Sequence, residues 1–225
     1  MRIGIIAALD CEMTEFCNDF CAVETEHYGI YEGKCASHEV YICLVGVGKV
    51  NAAANTQRLI DLYNVDYVIN SGVAGCISKK LGVCDIAISD ELTYHDFYPI
   101  NILDKYAPNS SRFKADDKLI SLAKEACLKI ADGGFKFDTG LIVTGDQFIE
   151  DSAVVSRLRT DFDALCTEME GAAVAHVCLL NKVPFVVIRA MSDNADESAD
   201  MSFNEMAEIA AKRASFVSSY IISRL

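Results

Sequence analysis

The run Phe185-Val-Val-Ile-Arg-Ala-Met191, entered through Pro184, constrains this chain more than any other segment. A continuous stretch of apolar and β-branched residues marks a strand buried on both faces, which belongs in a parallel sheet covered by helices. Open sheets of that kind bind ligands outside the carboxyl ends of their strands. Asp193 stands where the run ends, so it either caps the next helix or faces a ligand.

The remaining patterns agree with a helix-covered sheet. Strand patterns fall at 2–8, 28–34, 38–45, 65–71, 83–90, 137–144 and 184–191. After a hairpin-like start they alternate with helical patterns at 49–63, 115–130, 169–181 and 203–224. The last helix carries Phe203, Met206, Ala207, Ala210 and Ala214 on one apolar stripe. This order predicts a three-layer α/β fold with a central mixed, mostly parallel, twisted sheet flanked by helices. With 225 residues and 52% hydrophobic content, the expectation is one domain spanning 1–225. Residues 94–111 form the one long irregular segment, and loops of that length carry function or meet partners.

A net charge of −13, with no Lys/Arg stripe to offset it, repels phosphate backbones and excludes nucleic acid as a partner. A small uncharged or cationic ligand fits the balance. The ten cysteines contain no C-x-x-C pair and the four histidines, at 27, 38, 95 and 176, lie apart, so no metal site and no cofactor is expected. Scattered thiols in a chain this long suit a reducing cytoplasm. The run Ile3 to Leu9 is closed by Asp10 and Glu12 and reads as a first strand, not a signal-peptide core. No stretch is apolar enough to span a membrane.

Four further segments place chemistry at strand ends. Glu12, in Asp10-Cys-Glu12, sits where a carboxylate either starts a helix or faces a ligand. Thr167-Glu-Met-Glu-Gly-Ala-Ala-Val-Ala-His176 opens an Ala-rich helix whose acids suit the helix dipole, with His176 on the Ala/Val face as a packing residue. Thr144-Gly-Asp-Gln-Phe-Ile149 offers a tight turn with exposed backbone groups. Of two glycine clusters, Val45-Gly-Val-Gly-Lys-Val-Asn51 lacks both Walker and dinucleotide spacing, and Asn70-Ser-Gly-Val-Ala-Gly-Cys76 reads as a glycine-rich turn.

Together with Ile3-Gly-Ile-Ile-Ala-Ala-Leu-Asp-Cys-Glu-Met13, Ser89-Asp-Glu-Leu-Thr-Tyr-His-Asp96 and Phe113-Lys-Ala-Asp-Asp-Lys-Leu-Ile120, these segments resemble the 5'-methylthioadenosine/S-adenosylhomocysteine nucleosidases of the wider nucleoside phosphorylase family. The resemblance implies a nucleoside phosphorylase-like fold and cleavage of an adenine nucleoside with water as co-substrate. Glu12 is then the base that activates water and Asp193 the acid that protonates adenine N7, the division of labour used in glycoside cleavage. Glu170 would bind the ribose 2' and 3' hydroxyls, with Met169 packed against the sugar and Val47 bordering it. Phe148 would stack on the purine, the Ile149 backbone would read the adenine edge, and Phe203 matches the aromatic lining of the pocket or else packs in the core. Arg189 and Ser192 are supporting residues.

Val73 departs from the family, which carries there a serine that helps hold the catalytic aspartate and that phosphorylase relatives use for phosphate; Ser192 is the expected substitute. The resemblance further implies a homodimer sharing the 94–111 loop and a place in methionine salvage. A phosphate-dependent phosphorylase, or an adenosine sensor without activity, are the alternatives. The sequence does not rank methylthioadenosine, S-adenosylhomocysteine and 5'-deoxyadenosine as substrates.

Overall fold

A computed structural model describes residues 1–130, 134–193, 195 and 199–225, the side chains of 199–205 excepted. The chain opens with β1 (Arg2–Ala7), α1 (Asp10–Asp19), β2 (Val23–Glu24), β3 (Ile30–Cys35), β4 (His38–Leu44) and α2 (Lys49–Tyr63). The middle supplies β5 (Tyr67–Cys76), β6 (Ile86–Tyr94), a 3-10 turn at Ile100–Lys105, β7 (Phe113–Lys114), α3 (Asp117–Ile130) and β8 (Phe137–Thr144). It closes with α4 (Ser152–Phe162), β9 (Cys166–Glu168), α5 (Gly171–Asn181), β10 (Phe185–Asp193) and α6 (Ala199–Arg224).

The strands form one mixed sheet in the order β10-β6-β8-β9-β5-β1-β4-β3-β2, and β10 also pairs with β5. That extra pairing closes β5, β10, β6, β8 and β9 into a ring, from which β1, β4, β3 and β2 continue as an open wing. Parallel pairs dominate the centre, with β1 beside β4 and β5, β5 beside β10, and β6 beside β8. Helices α1 and α3 each pack on α6 and α2 packs on α5, which covers the sheet on both sides. All nine residues of β10 are buried, and its neighbours lie on both faces. Each fully buried Val or Ile there contributes roughly 1.5–3 kcal/mol, enough to pin the strand that carries Asp193.

The predicted class holds, with differences in the elements. The strand predicted at 65–71 continues as β5 through the glycine cluster to Cys76, so Asn70–Cys76 is not a turn. The glycines are there for space: a methyl group on Gly72 would overlap Arg189 Nη1 and Glu12 Oε1. Helix α5 starts at Gly171 and not at 169, so Glu168 ends β9 and Glu170 is an N-cap; neither is a first-turn acid. Helices α1 and α4 and the three-residue β9 were not predicted. Helix α1 buries only Glu12 and Phe16, too few to show a period, whereas α4 had a readable cap, the Asp151 carboxylate accepting from Ala153 N at 2.7 Å.

Candidate active site

The carboxyl ends of six strands supply one cavity of about 410 Å³. Ala8, Leu9 and Glu12 follow β1, Val47 follows β4, and Val73, Ala74 and Gly75 lie on the last half of β5. Gln147, Phe148 and Ile149 follow β8, Thr167 to Glu170 end and follow β9, and Ser192 and Asp193 end β10. The ring closure brings these ends together, because β9 pairs antiparallel with β5 and sets Thr167 opposite Gly75.

Glu12 is both helix cap and site residue. In the first turn of α1 its Oε2 accepts from the N–H groups of Ala8 and Leu9 at 2.8 and 3.0 Å, and its Oε1 accepts from Val73 N at 3.0 Å. Three backbone donors from two segments fix the carboxylate in one position. Burial raises its pKa from the ordinary carboxylate value; the nearby Arg189 charge and the three N–H bonds oppose that rise without cancelling it. A buried carboxylate shifted toward neutrality has the affinity for a proton that a general base needs.

Asp193 lies two residues beyond the predicted strand end. The register of β10 on β5 shifts between Met191 and Asp193, and this bulge brings Asp193 opposite Gly75. Its Oδ1 accepts from Ala195 N at 2.7 Å and its Oδ2 from Ser192 Oγ at 2.7 Å. Ser192 thus makes the bond to the aspartate that the resemblance assigns to a serine at 73. Val73 contributes its backbone N–H to Glu12 and its side chain to the cavity wall.

The two glutamates of the β9 motif have different partners. Glu168 is engaged by Arg189 Nη2, Thr144 Oγ1 and the N–H groups of Glu170 and Gly171. Arg189, 1% exposed, also donates to Asn70 Oδ1 at 2.7 Å and lies 3.7 Å from Glu170 Oε2. A buried guanidinium demands such partners, and removing one from a buried pair costs about 3–5 kcal/mol. Glu170 Oε1 accepts from Gly48 N at 2.8 Å, a donor delivered by a turn in which Gly48 has φ of 99°, a left-handed conformation that suits glycine. Burial, with the Glu168 charge adding to it, pushes the Glu170 pKa up to about 7.

Val47 and Phe148 are half-exposed at the mouth, and Ile149, Met169 and Ala74 complete the apolar wall. The structure therefore brings Glu12, Val47, Val73, Phe148, Ile149, Met169, Glu170, Ser192 and Asp193 to one cavity, with Arg189 behind Glu168 and Glu170. The side chain of Phe203 lies outside the described residues. Sequence reasoning missed Ala8, Leu9, Ala74, Gly75, Gln147, Thr167 and Glu168; of these only Glu168, an acid beside a named site residue, carried a signal. His176 lies outside the cavity, stacked on Phe113 with ring centroids 4.8 Å apart and bonded to Tyr94 OH and Asn109 Oδ1. Among the described residues no group of three or more His, Cys, Asp or Glu side chains is arranged to hold a metal ion, and no helix is long and apolar enough to cross a membrane.

The chain matches the phosphorylase superfamily over residues 2–223. It is similar to the 5'-methylthioadenosine/S-adenosylhomocysteine nucleosidase of Colwellia psychrerythraea 34H in complex with adenine, at 37% identity and a TM-score of 0.93, covering 100% of this chain and 96% of that one. The Neisseria meningitidis nucleosidase in complex with methylthio-immucillin-A matches at 35% identity and 0.91, covering 100% and 99%. The futalosine hydrolase of Helicobacter pylori strain 26695 matches at 30% identity and 0.89, covering 100% and 98%. The chain belongs to the phosphorylase superfamily and, within it, to the 5'-methylthioadenosine/S-adenosylhomocysteine nucleosidase family.

Proposed function

We propose that the protein hydrolyses the N-glycosidic bond of 5'-substituted adenine nucleosides, among them methylthioadenosine, S-adenosylhomocysteine and 5'-deoxyadenosine, releasing adenine and the 5-substituted ribose. The convergence of two buried carboxylates from different elements, Glu12 and Asp193, on one cavity carries this reading. As the bond from C1' to N9 lengthens, its electron pair moves into the purine and Asp193 supplies a proton to N7. Water attacks C1', and Glu12 takes the proton that water releases. Glu170 accepts from the ribose 2' and 3' hydroxyls, a task suited to an ionised carboxylate. Phe148 covers a face of the base and the Ile149 backbone meets its edge.

Ser192 suits Asp193 in either protonation state. Its hydroxyl donates to Oδ2 at 2.7 Å, which leaves the acid's own proton free for N7. Water is the nucleophile this wall favours, because the carboxylates of Glu12, Glu168 and Glu170 line it and would repel a phosphate dianion. Adenine is therefore expected at the same rate with and without phosphate when a panel of 5'-substituted adenine nucleosides is assayed. A strict phosphate requirement, with a ribose 1-phosphate as product, would reassign the protein as a phosphorylase.

The Glu170 carboxyl sets a pH dependence. Its ionised form binds the diol, so kcat/KM should fall as pH drops below about 7, where the folded protein holds the proton. Glu170→Gln is expected to weaken binding and to remove one proton from the slope of that acid limb. An unchanged slope would separate Glu170 from the diol. The same reading includes a homodimer, for which the exposed Phe97, Tyr98 and Tyr106 of the 94–111 segment are the support, and work in methionine salvage in the cytoplasm.

A further inference from the structure

Three loops from separate strand ends, two of which reach the cavity, meet at one cation. Lys49, the first residue of α2, directs Nζ to Asp96 Oδ1 and Oδ2 at 2.7 and 2.6 Å, and lies 3.6 Å from Asp146 Oδ2. Its backbone N–H donates to Asp146 Oδ1 at 2.8 Å, and Asp146 N donates to Asp96 Oδ2 at 2.9 Å. The ammonium also sits 5.5 Å from the centre of the Tyr94 ring. Burial pushes the Asp96 carboxyl upward, but the bonds from Lys49 and Asp146 N outweigh it and hold the group below its usual range. The Lys49 and Asp96 side chains are 23% and 19% exposed, so salt screens this pair less than a surface pair.

None of these groups lines the cavity, but Asp146 adjoins a residue that does and Lys49 lies two positions from another. Asp146 precedes Gln147, Phe148 and Ile149, the segment that supplies the base wall. Lys49 follows Gly48, whose N–H is bonded to Glu170, and Val47 at the mouth. We propose that Lys49 is a positioning residue for base binding: with Asp96 and Asp146 it clamps the 145–149 segment to the 46–49 turn, so that Phe148 and Ile149 stand ready before the nucleoside arrives. Releasing the clamp lets the segment move away, and apparent affinity falls in proportion to the fraction still in place. Glu12 and Asp193 are held by α1, β5 and β10, which the clamp does not touch, so a nucleoside that has bound reacts at the usual rate.

The proposal rests on the nucleosidase reading for its enzymatic readout only. With methylthioadenosine as substrate, Lys49→Met and Asp96→Asn should each raise KM about tenfold and change kcat by less than about threefold, as a tenfold loss of the competent population requires. Lys49→Arg, which keeps the charge, should restore most of KM. The two losses should not add, because both break one clamp. Hydrogen exchange on the ligand-free protein provides the second arm: amides of residues 146–149 should exchange faster in both variants and return toward the wild-type rate in Lys49→Arg. Unchanged exchange in that segment, or a loss confined to kcat, overturns the clamp. Should the wild-type protein release no adenine, the nucleosidase reading fails and exchange alone decides the clamp. If Lys49→Met does not fold, Asp96→Asn and Lys49→Arg carry the same comparison.

Discussion

Glu12→Gln is expected to lower kcat by roughly 100- to 10,000-fold, the usual worth of a positioned general base. The amide keeps the shape of the carboxylate and can still accept from Ala8 N and Leu9 N through its oxygen. Its NH2 then faces Val73 N–H in place of an acceptor, so one of three backbone bonds is lost. That costs about 1–3 kcal/mol, against a total stability of roughly 5–15 kcal/mol for domains in general, and the variant should fold. The amide cannot take a proton from water, which is why the loss falls on kcat and not on KM. Circular dichroism checks the fold and adenine release checks the turnover; a folded variant that works at close to the native rate would remove Glu12 from the role of base.

Asp193→Asn should cost turnover on a similar scale, roughly 100- to 10,000-fold, with a different dependence on the leaving group. The asparagine oxygen can accept from Ala195 N while its NH2 donates to Ser192 Oγ, whose own proton turns to Ala74 O, so the local bonds survive the change. What disappears is the proton for N7. A riboside whose leaving group departs as a stable anion, such as a 4-nitrophenyl riboside, has no need of that proton. The deficit of the variant should therefore shrink sharply with the activated riboside. If both substrates lost turnover by the same factor, Asp193 would be a structural or electrostatic group and not the acid.

The parts of the fold that could be read from the chain are those whose pattern follows from local burial. Strand β10 is apolar on both faces because helices cover it, and α2 matches its expected range of 49–63 because its apolar positions recur at helical spacing. The three-residue β9 has no such pattern, since its existence depends on pairing with β5 and β8. Glycines at 72 and 75 read equally well as a turn; only the arrival of Arg189, Glu12 and Asp193 beside them makes a flat strand without side chains the solution.

For the site, the order of residues was enough to read the chemical inventory: an acid at the end of a buried strand, a second in the turn after β1, a pair around Met169, and an aromatic after a glycine turn. Residue type and position in a local element suffice for that. Which partners each group meets follows from folding alone. Glu168 and Glu170 are two residues apart and the same in type, yet Arg189, Thr144 and the start of α5 tie up the first while the second accepts from Gly48 N. Ser192 serves Asp193 in spite of Val73, and Lys49 joins aspartates 47 and 97 positions away in the chain. A carboxylate's proton affinity and the stiffness of a loop are set by the charges and donors within a few ångströms, and those come from segments that only folding brings together.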